Sequence, residues 1–444
     1  MKKTYKRLIL LISLVMIIGT GCHKQDAIIP GNKHPHAEDS YVIQTWYGLM
    51  MKLLTETPGH VPPVAARDFG YTGVALYESL VGDIPGYHSL AGQLSGLTSL
   101  PQRGNGQYYN ATLTANAALA EIIRNLFQNA SVENFHSIDA LEKVNSKLYE
   151  GEQLNKEIID RSREYGRAIA EAVFRWSVSD GGHRAYLNNF PADYIPPLGI
   201  DKWVPAPPEF QSAMVPYWGN NRSMVLANGP GPVDAPGPPS FSITENSVFY
   251  NAAYEVYNTG LHLSPEQKTI ALYWADGANT FTPPGHDIAI TLQMIRNRNS
   301  NLYKAAVLLA KVGIAENDAG IACWRAKYKA NLLRPITFIQ SYIDPSWSPL
   351  LVTPPFPTYT SGHSTFSGAA STILSAEIGD NFSFTDSTKI YDGFQPRSFN
   401  SFIDYAGECA ISRLYGGIHY VFDNINGFNC GQHVAKNVEH LRWK

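Results

Sequence analysis

Three short runs in this 444-residue chain carry side chains whose types suit one task. KYKANLLRP places Lys327 and Arg334 seven residues apart, directly before Pro335. FPTYTSGHSTFSG, residues 356–368, sets the Ser361 hydroxyl and the side-chain-free Gly362 N–H beside the His363 imidazole. SRLYGGIHYVFD places Arg413 six residues before His419, and Asp423 four after it. The set suits a small tetrahedral oxyanion: cations offset its charge, neutral donors hold its oxygens and an imidazole moves a proton. Each run alone has a plainer reading, as a solvated basic face, a helix cap or a structural His–Asp pair. Their co-occurrence in one chain points to a site.

These residues need particular elements to bring them together. Seven residues are close to two turns of helix, so Lys327 and Arg334 are expected on one face about 10 Å apart along the axis, with Pro335 breaking the helix there. A helix starting near His363 would aim backbone N–H groups and its positive dipole end at the anion. Gly416 and Gly417 separate Arg413, at the end of one segment, from His419 at the start of another. Asp423, one turn after His419, can accept from one ring nitrogen, fixing the tautomer and freeing the other nitrogen as ligand or nucleophile.

Along the chain, apolar residues recur at helical spacing in 41–57, 63–81 and about 112–128, and in two stretches between 132 and 178. From Asp180 to about Ser240, Pro, Gly, Tyr and Trp crowd together, as in a loop that packs over a site or joins two halves. Helical patterning returns at 243–259, 264–278, 285–298, 301–333, 363–378, 400–415 and 419–440. Alternating, strand-like runs are almost absent. The expectation is an all-α protein of two helical bundles, an N-terminal region over 41–240 and a site-bearing domain over 241–444, joined by the Pro-rich loop.

A net charge of -3 with 16% charged residues excludes a basic field for nucleic acid. Lys2, Lys3, Lys6 and Arg7 precede an apolar run from Leu8 to Ile18, too short for a confident membrane span. Gly19-Thr20-Gly21-Cys22 then resembles a bacterial lipobox, with Gly19 where an aliphatic residue is usual. Residues 1–22 thus read as a lipoprotein signal ending in a lipidated Cys22, and 23–40 as a flexible linker. Left uncleaved, the same segment would be an anchor. Either way the body is expected outside the cytoplasm, at the outer membrane or facing the periplasm. Cys323, Cys409 and Cys430 have no metal-site spacing. Cys409 and Cys430 could pair, but isolated buried thiols are expected. His286, which opens a helical run just after Asp276, reads as a cap or surface residue, with the pocket entrance as the alternative, and His183 has no evident partner.

Taken together, K-x6-RP, SGH and SR-x5-H-x3-D resemble the superfamily of type 2 phosphatidic acid phosphatases and vanadium-dependent haloperoxidases. The resemblance is close from Lys327 to Asp423 and weaker back to about Asn251, with Thr360 where a Pro usually precedes SGH. Chain length and the lack of further apolar runs of 18 residues favour the haloperoxidase branch over the membrane and short soluble phosphatases. So do Trp324 and Phe356, which resemble halide-pocket positions. Asp276 matches an acidic residue that supports the anion-binding arginines of the family. Ser364 stands where chloroperoxidases tend to carry Ala and bromoperoxidases His, which leaves the halide open.

The resemblance implies vanadate as cofactor, with His419 as the axial vanadium ligand. Lys327, Arg334, Arg413, Ser361 and the Gly362 N–H would hold the oxygens, His363 would be general acid/base and Lys327 would polarise the peroxide. Hydrogen peroxide and halide would be the partners, the organic acceptor and oligomeric state being unspecified. One rival is an acid phosphatase, in which His419 attacks phosphorus and His363 protonates the leaving group. Another is a non-catalytic oxyanion-binding lipoprotein, against which the intact His363, His419 and Asp423 argue.

Overall fold

The structure, a computed structural model, describes residues 39–150, 154–277 and 279–444. The expected signal, Cys22 and nearly all of the 23–40 linker lie outside them. The elements run α1 (Tyr41–Glu56), α2 (Pro62–Leu80), α3 (Ala111–Leu126), α4 (Val132–Glu150), α5 (Lys156–Ser177), α6 (Val248–Leu261), α7 (Pro265–Tyr273), α8 (Thr282–Asn297), α9 (Leu302–Ala330), α10 (Pro335–Tyr342) and α11 (Gly362–Ile378). After these come β1 (Phe384–Asp386), β2 (Arg397–Phe399), α12 (Phe402–Tyr415) and α13 (Val421–Glu439). The fold is helical, as the patterning predicts. The two three-residue strands pair antiparallel, with Phe384 opposite Phe399, and are too short to leave an alternating pattern.

Helix starts follow local chemistry. Asn110, Asn155, Ser247, Ser264, Asn301, Ser361 and Ser401 each cap the helix that follows by accepting from a backbone N–H three residues on. Glycine then sets how closely helices approach. Along the α2–α9 contact, a Cβ on Gly73 would sit 2.8 Å from the Leu309 carbonyl oxygen, and one on Gly313 2.7 Å from that of Phe69. The α11–α13 seam is tighter: a Cβ would meet the Phe428 oxygen at 2.6 Å from Gly368, the Ser361 oxygen at 2.7 Å from Gly427, and the Thr365 oxygen at 2.1 Å from Gly431. Only residues without a Cβ allow that approach.

The 29-residue α9 is buried along most of its length and forms the axis of the molecule. Near its start, Asp39 and Asn301 form an antiparallel bridge. Apolar residues from Val42 to Trp443, on both sides of residue 240, share one core, and a smaller cluster that includes Phe249, Phe338, Trp347 and Tyr420 packs apart from it. The Pro-rich loop lies over the C-terminal end of α9, where Trp203 N donates to the Asn331 carbonyl and Met214 N to that of Pro355. Asp318, buried in α9, pins the loop by accepting from Met224 N, Val225 N and Asn228 Nδ2.

One expectation is corrected here. Lys327 and Arg334 do not project from one helix. α9 ends at Ala330, Asn331 turns left-handed at φ 46°, and Arg334 is the N-cap of α10 with Pro335 at its first position. Asn tolerates the left-handed region, and Pro lacks only an N–H that the first helical turn leaves unused. Pro335 therefore begins a helix where it was expected to break one. All three described cysteines are buried free thiols, so Cys409 and Cys430 do not pair. No described helix is long and apolar enough to cross a membrane.

Candidate active site

Three cations meet at the junction of α9, α10 and α12, and each is essentially sealed from solvent. Lys327 Nζ donates to the carbonyls of Pro357 at 3.0 Å and Thr358 at 3.1 Å, and to that of Thr360. Arg334 Nε donates to the Phe356 carbonyl at 2.7 Å and Nη1 to that of Ile418 at 2.8 Å, while Nη2 is buried without a partner. Arg413 Nε donates to Ser412 Oγ at 2.9 Å and Nη2 to the Ala271 carbonyl at 3.2 Å. Among the described residues, none of the three forms an ion pair with a carboxylate. Burial, with Arg334 adding repulsion, pushes the Lys327 ammonium down to about 7. Burial likewise pushes Arg334 and Arg413 down to about 10. Buried charges of one sign are costly, and an anion among them would offset that cost.

The start of α11 supplies the neutral donors. Ser361 caps the helix, its Oγ accepting from Ser364 Oγ at 2.9 Å, and Ser361 N donates to the Asp423 carbonyl at 3.1 Å. Gly362 is the first helical residue, so its N–H has no partner within the helix. A Cβ on it would touch the Trp324 ring at 3.7 Å and the Phe366 ring at 4.0 Å, both ordinary contacts, so protein packing does not itself demand glycine there. His363 keeps its Nε2 buried and unpartnered, and burial and Arg413 hold the ring well below the ordinary histidine range.

His419 precedes α13 instead of sharing a face with Asp423. Asp423, three residues into that helix, reaches back: its Oδ2 lies 2.9 Å from His419 Nδ1, accepts from Tyr420 N at 3.2 Å, and accepts from the Thr358 hydroxyl. The carboxylate thus sets the expected tautomer, and His419 Nε2 accepts from Arg334 Nη1 at 3.1 Å. Burial and Arg334 keep this imidazole neutral, well below its usual range. Thr358, 3.1 Å from His419 Nδ1, was not singled out from the sequence, since threonine inside a motif run carries no chemical signal of its own.

Trp324 and Phe356 join the cage with ring centroids 5.1 Å apart. Lys327 Nζ lies 4.7 Å and Arg334 Cζ 4.8 Å from the Phe356 centroid, so this ring faces two of the cations. Asp276 favours the charged form of Arg413 through its own charge, while its oxygens meet His286 Nδ1 at 2.9 Å and Lys389 Nζ at 2.8 Å. One expectation is corrected. His286 is neither cap nor surface residue but 1% exposed, stacked 4.5 Å from Trp274 and bonded on both nitrogens. His183 meets the edge of the Phe174 ring.

The family model for the second helical-bundle domain of vanadium chloroperoxidase (VCPO) matches residues 307–442, the stretch that holds the cage. The crystal structure of a bacterial vanadium-dependent iodoperoxidase superposes with a TM-score of 0.83 at 34% identity, over 92% of this chain and 98% of that one. The chain belongs to the vanadium-dependent haloperoxidase family. Vanadium chloroperoxidase of Curvularia inaequalis is 30% identical over 222 residues, a match spanning 36% of this chain and 36% of that protein. A bacterial vanadium-dependent chloroperoxidase in its holo form, at 15% identity and a TM-score of 0.65, shares the fold. Within this family fold the residues that could hold vanadate are His419 through Nε2, with Lys327, Arg334, Arg413, Ser361 and the Gly362 N–H around the oxygens. The fit rests on cations that lack carboxylate partners and on the unpartnered Arg334 Nη2 and His363 Nε2.

Proposed function

We propose that the chain is a vanadate-dependent haloperoxidase, oxidising halide with hydrogen peroxide to hypohalous acid and water. The observation that carries this reading is the cluster of three buried cations without carboxylates, set around a His419 whose Nδ1 is committed to Asp423. Bound vanadate supplies a Lewis acid that activates peroxide without changing oxidation state. The chain's own residues do the rest. Lys327, Arg334 and Arg413 would offset its charge, Ser361 and the Gly362 N–H would hold its oxygens, and His419 would bind it through Nε2. His363, neutral, would accept a proton from peroxide at Nε2 and later give it back. With its three N–H groups held by the carbonyls of Pro357, Thr358 and Thr360, Lys327 would act on peroxide through its buried positive charge, favouring attack by halide. Trp324 and Phe356 wall the approach and exclude water.

The test is to load the protein with orthovanadate and assay peroxide with iodide, bromide and chloride in parallel, beside cleavage of a phosphomonoester. Vanadate-dependent halide oxidation that is lost in His419→Ala supports the proposal. Ester cleavage inhibited by vanadate, with no halide oxidised, would replace it with the phosphatase. Export as a lipoprotein belongs to the same proposal: labelled fatty acid should be incorporated by the wild type and not by Cys22→Ser.

A further inference from the structure

We infer that Ser364 is a positioning residue: it fills both lone pairs of the Ser361 hydroxyl, so that this hydroxyl can only donate and binds an unprotonated oxygen of the oxyanion. The inference deepens the proposed function and rests on its placing of Ser361 beside the anion.

The structure fixes Ser361 in stages, backbone first. Its N–H donates to the Asp423 carbonyl at 3.1 Å, and its carbonyl accepts from Thr365 N at 3.1 Å and Thr365 Oγ1 at 2.8 Å. Helix α13 presses on the same peptide, since a Cβ on Gly427 would lie 2.7 Å from the Ser361 carbonyl oxygen. The side-chain torsion comes next. As N-cap of α11, Ser361 Oγ accepts from Ser364 N at 3.4 Å, which sets the direction of its Cβ–Oγ bond. The hydroxyl rotation comes last, set by Ser364 Oγ, which donates to Ser361 Oγ at 2.9 Å. Asn424 Oδ1, 3.4 Å from Ser364 Oγ, is the more distant acceptor for the same proton.

A serine hydroxyl has two lone pairs and one proton. Ser364 occupies both lone pairs of Ser361, through its N–H and its O–H, so the proton is the only hydrogen-bonding capacity that Ser361 Oγ has left. Among the described residues nothing accepts that proton, and both serines are fully buried. A buried donor without an acceptor is costly, and an anion oxygen held among Lys327, Arg334 and Arg413 removes that cost. Without the Ser364 hydroxyl, Ser361 could turn a lone pair towards the anion and repel it. Orthovanadate and inorganic phosphate present the same tetrahedral oxygens, so both should feel the change.

The experiment titrates the full-length chain with orthovanadate and, separately, with inorganic phosphate, while thermal unfolding checks each variant's fold. Ser361→Ala should weaken both anions about tenfold, and Ser364→Ala about fivefold. In the Ser361→Ala background, Ser364→Ala should cost no further affinity, because the hydroxyl it orients is gone. A merely structural Ser364 would cost the same in both backgrounds. Should Ser364→Ala fail to fold, Ser364→Cys, a weak donor of similar shape, carries the same prediction. Wild-type affinity in folded Ser361→Ala, Ser364→Ala or Ser364→Cys overturns the inference, as does an undiminished loss on top of Ser361→Ala. A wild type that binds neither anion overturns it too. Neither titration uses peroxide or halide, so failure here is distinguishable from failure of halide oxidation.

Discussion

Replacing Gly431 with Ala should disable the cage without touching any residue in it. In α13, a Cβ at position 431 would stand 2.1 Å from the Thr365 carbonyl oxygen and 2.8 Å from Ala369 N, both in α11. Ordinary contact begins at 3.4 Å, a shortfall of 1.3 Å at the oxygen, so the two helices must part by about that much. Ser361 and His363 travel with α11, whereas His419 and Asp423 travel with α13. The Ser361 N to Asp423 carbonyl bond, now 3.1 Å, would stretch beyond hydrogen-bonding range. Overpacking of this kind costs about 1–3 kcal/mol of stability, and a displacement near 1 Å at a reacting centre costs on the order of 100-fold in rate. The assays are thermal unfolding, an orthovanadate binding titration and peroxide-dependent halide oxidation. Gly48→Ala and Gly407→Ala are the controls: both are exposed helical positions where a Cβ meets nothing within 4 Å, so each should be neutral or gain up to about 1 kcal/mol. If Gly431→Ala matches those controls in stability, vanadate affinity and rate, the coupling of seam to site is refuted.

Three further predictions concern single groups. Burial pushes Asp287 up to about 8, and burial with Asp287 beside it raises Glu316 well above the usual range. The folded state therefore holds extra protons, and stability should fall as pH rises from about 4 towards 8, at about 1.4 kcal/mol per pH unit for each extra proton. Glu316→Gln should flatten that slope and raise stability at pH 7; urea unfolding between pH 5 and 8 checks this, and an unchanged slope would count against it. Thr358→Val removes one of three donors to Asp423 Oδ2 and should weaken vanadate binding about tenfold, measured by titration against the wild type. Gly362→Ala should melt within a degree or two of wild type, because its Cβ meets Trp324 and Phe366 at ordinary distances, yet bind vanadate measurably more weakly.

The cage residues were legible in the sequence because oxyanion chemistry restricts residue type: few alternatives to Lys327, Arg334, His363, Arg413 and His419 could serve at those spacings. Helix starts were legible where a cap announces them, as at Asn301, Ser361 and Ser401. Spacing alone misplaced Arg334, since seven residues fit two helical turns equally well whether or not Asn331 turns left-handed between them. Asp276 and His286 were read as separate features because their further partners, Lys389 for Asp276 and Asp386 for His286, are 100 or more residues away and lie outside every motif. Thr358 and the glycines of the α11–α13 seam share that difficulty. Their roles are set by contacts 60 or more residues distant, with Asp423 for Thr358 and Thr365 for Gly431, and no local pattern encodes a distant contact.

The bridge between Asp39 and Asn301 has a directional consequence. It lies at one end of α9 and Lys327 lies at the other, about 38 Å away at the helical rise per residue. Whatever chain precedes Asp39 therefore departs from the pole opposite the cage.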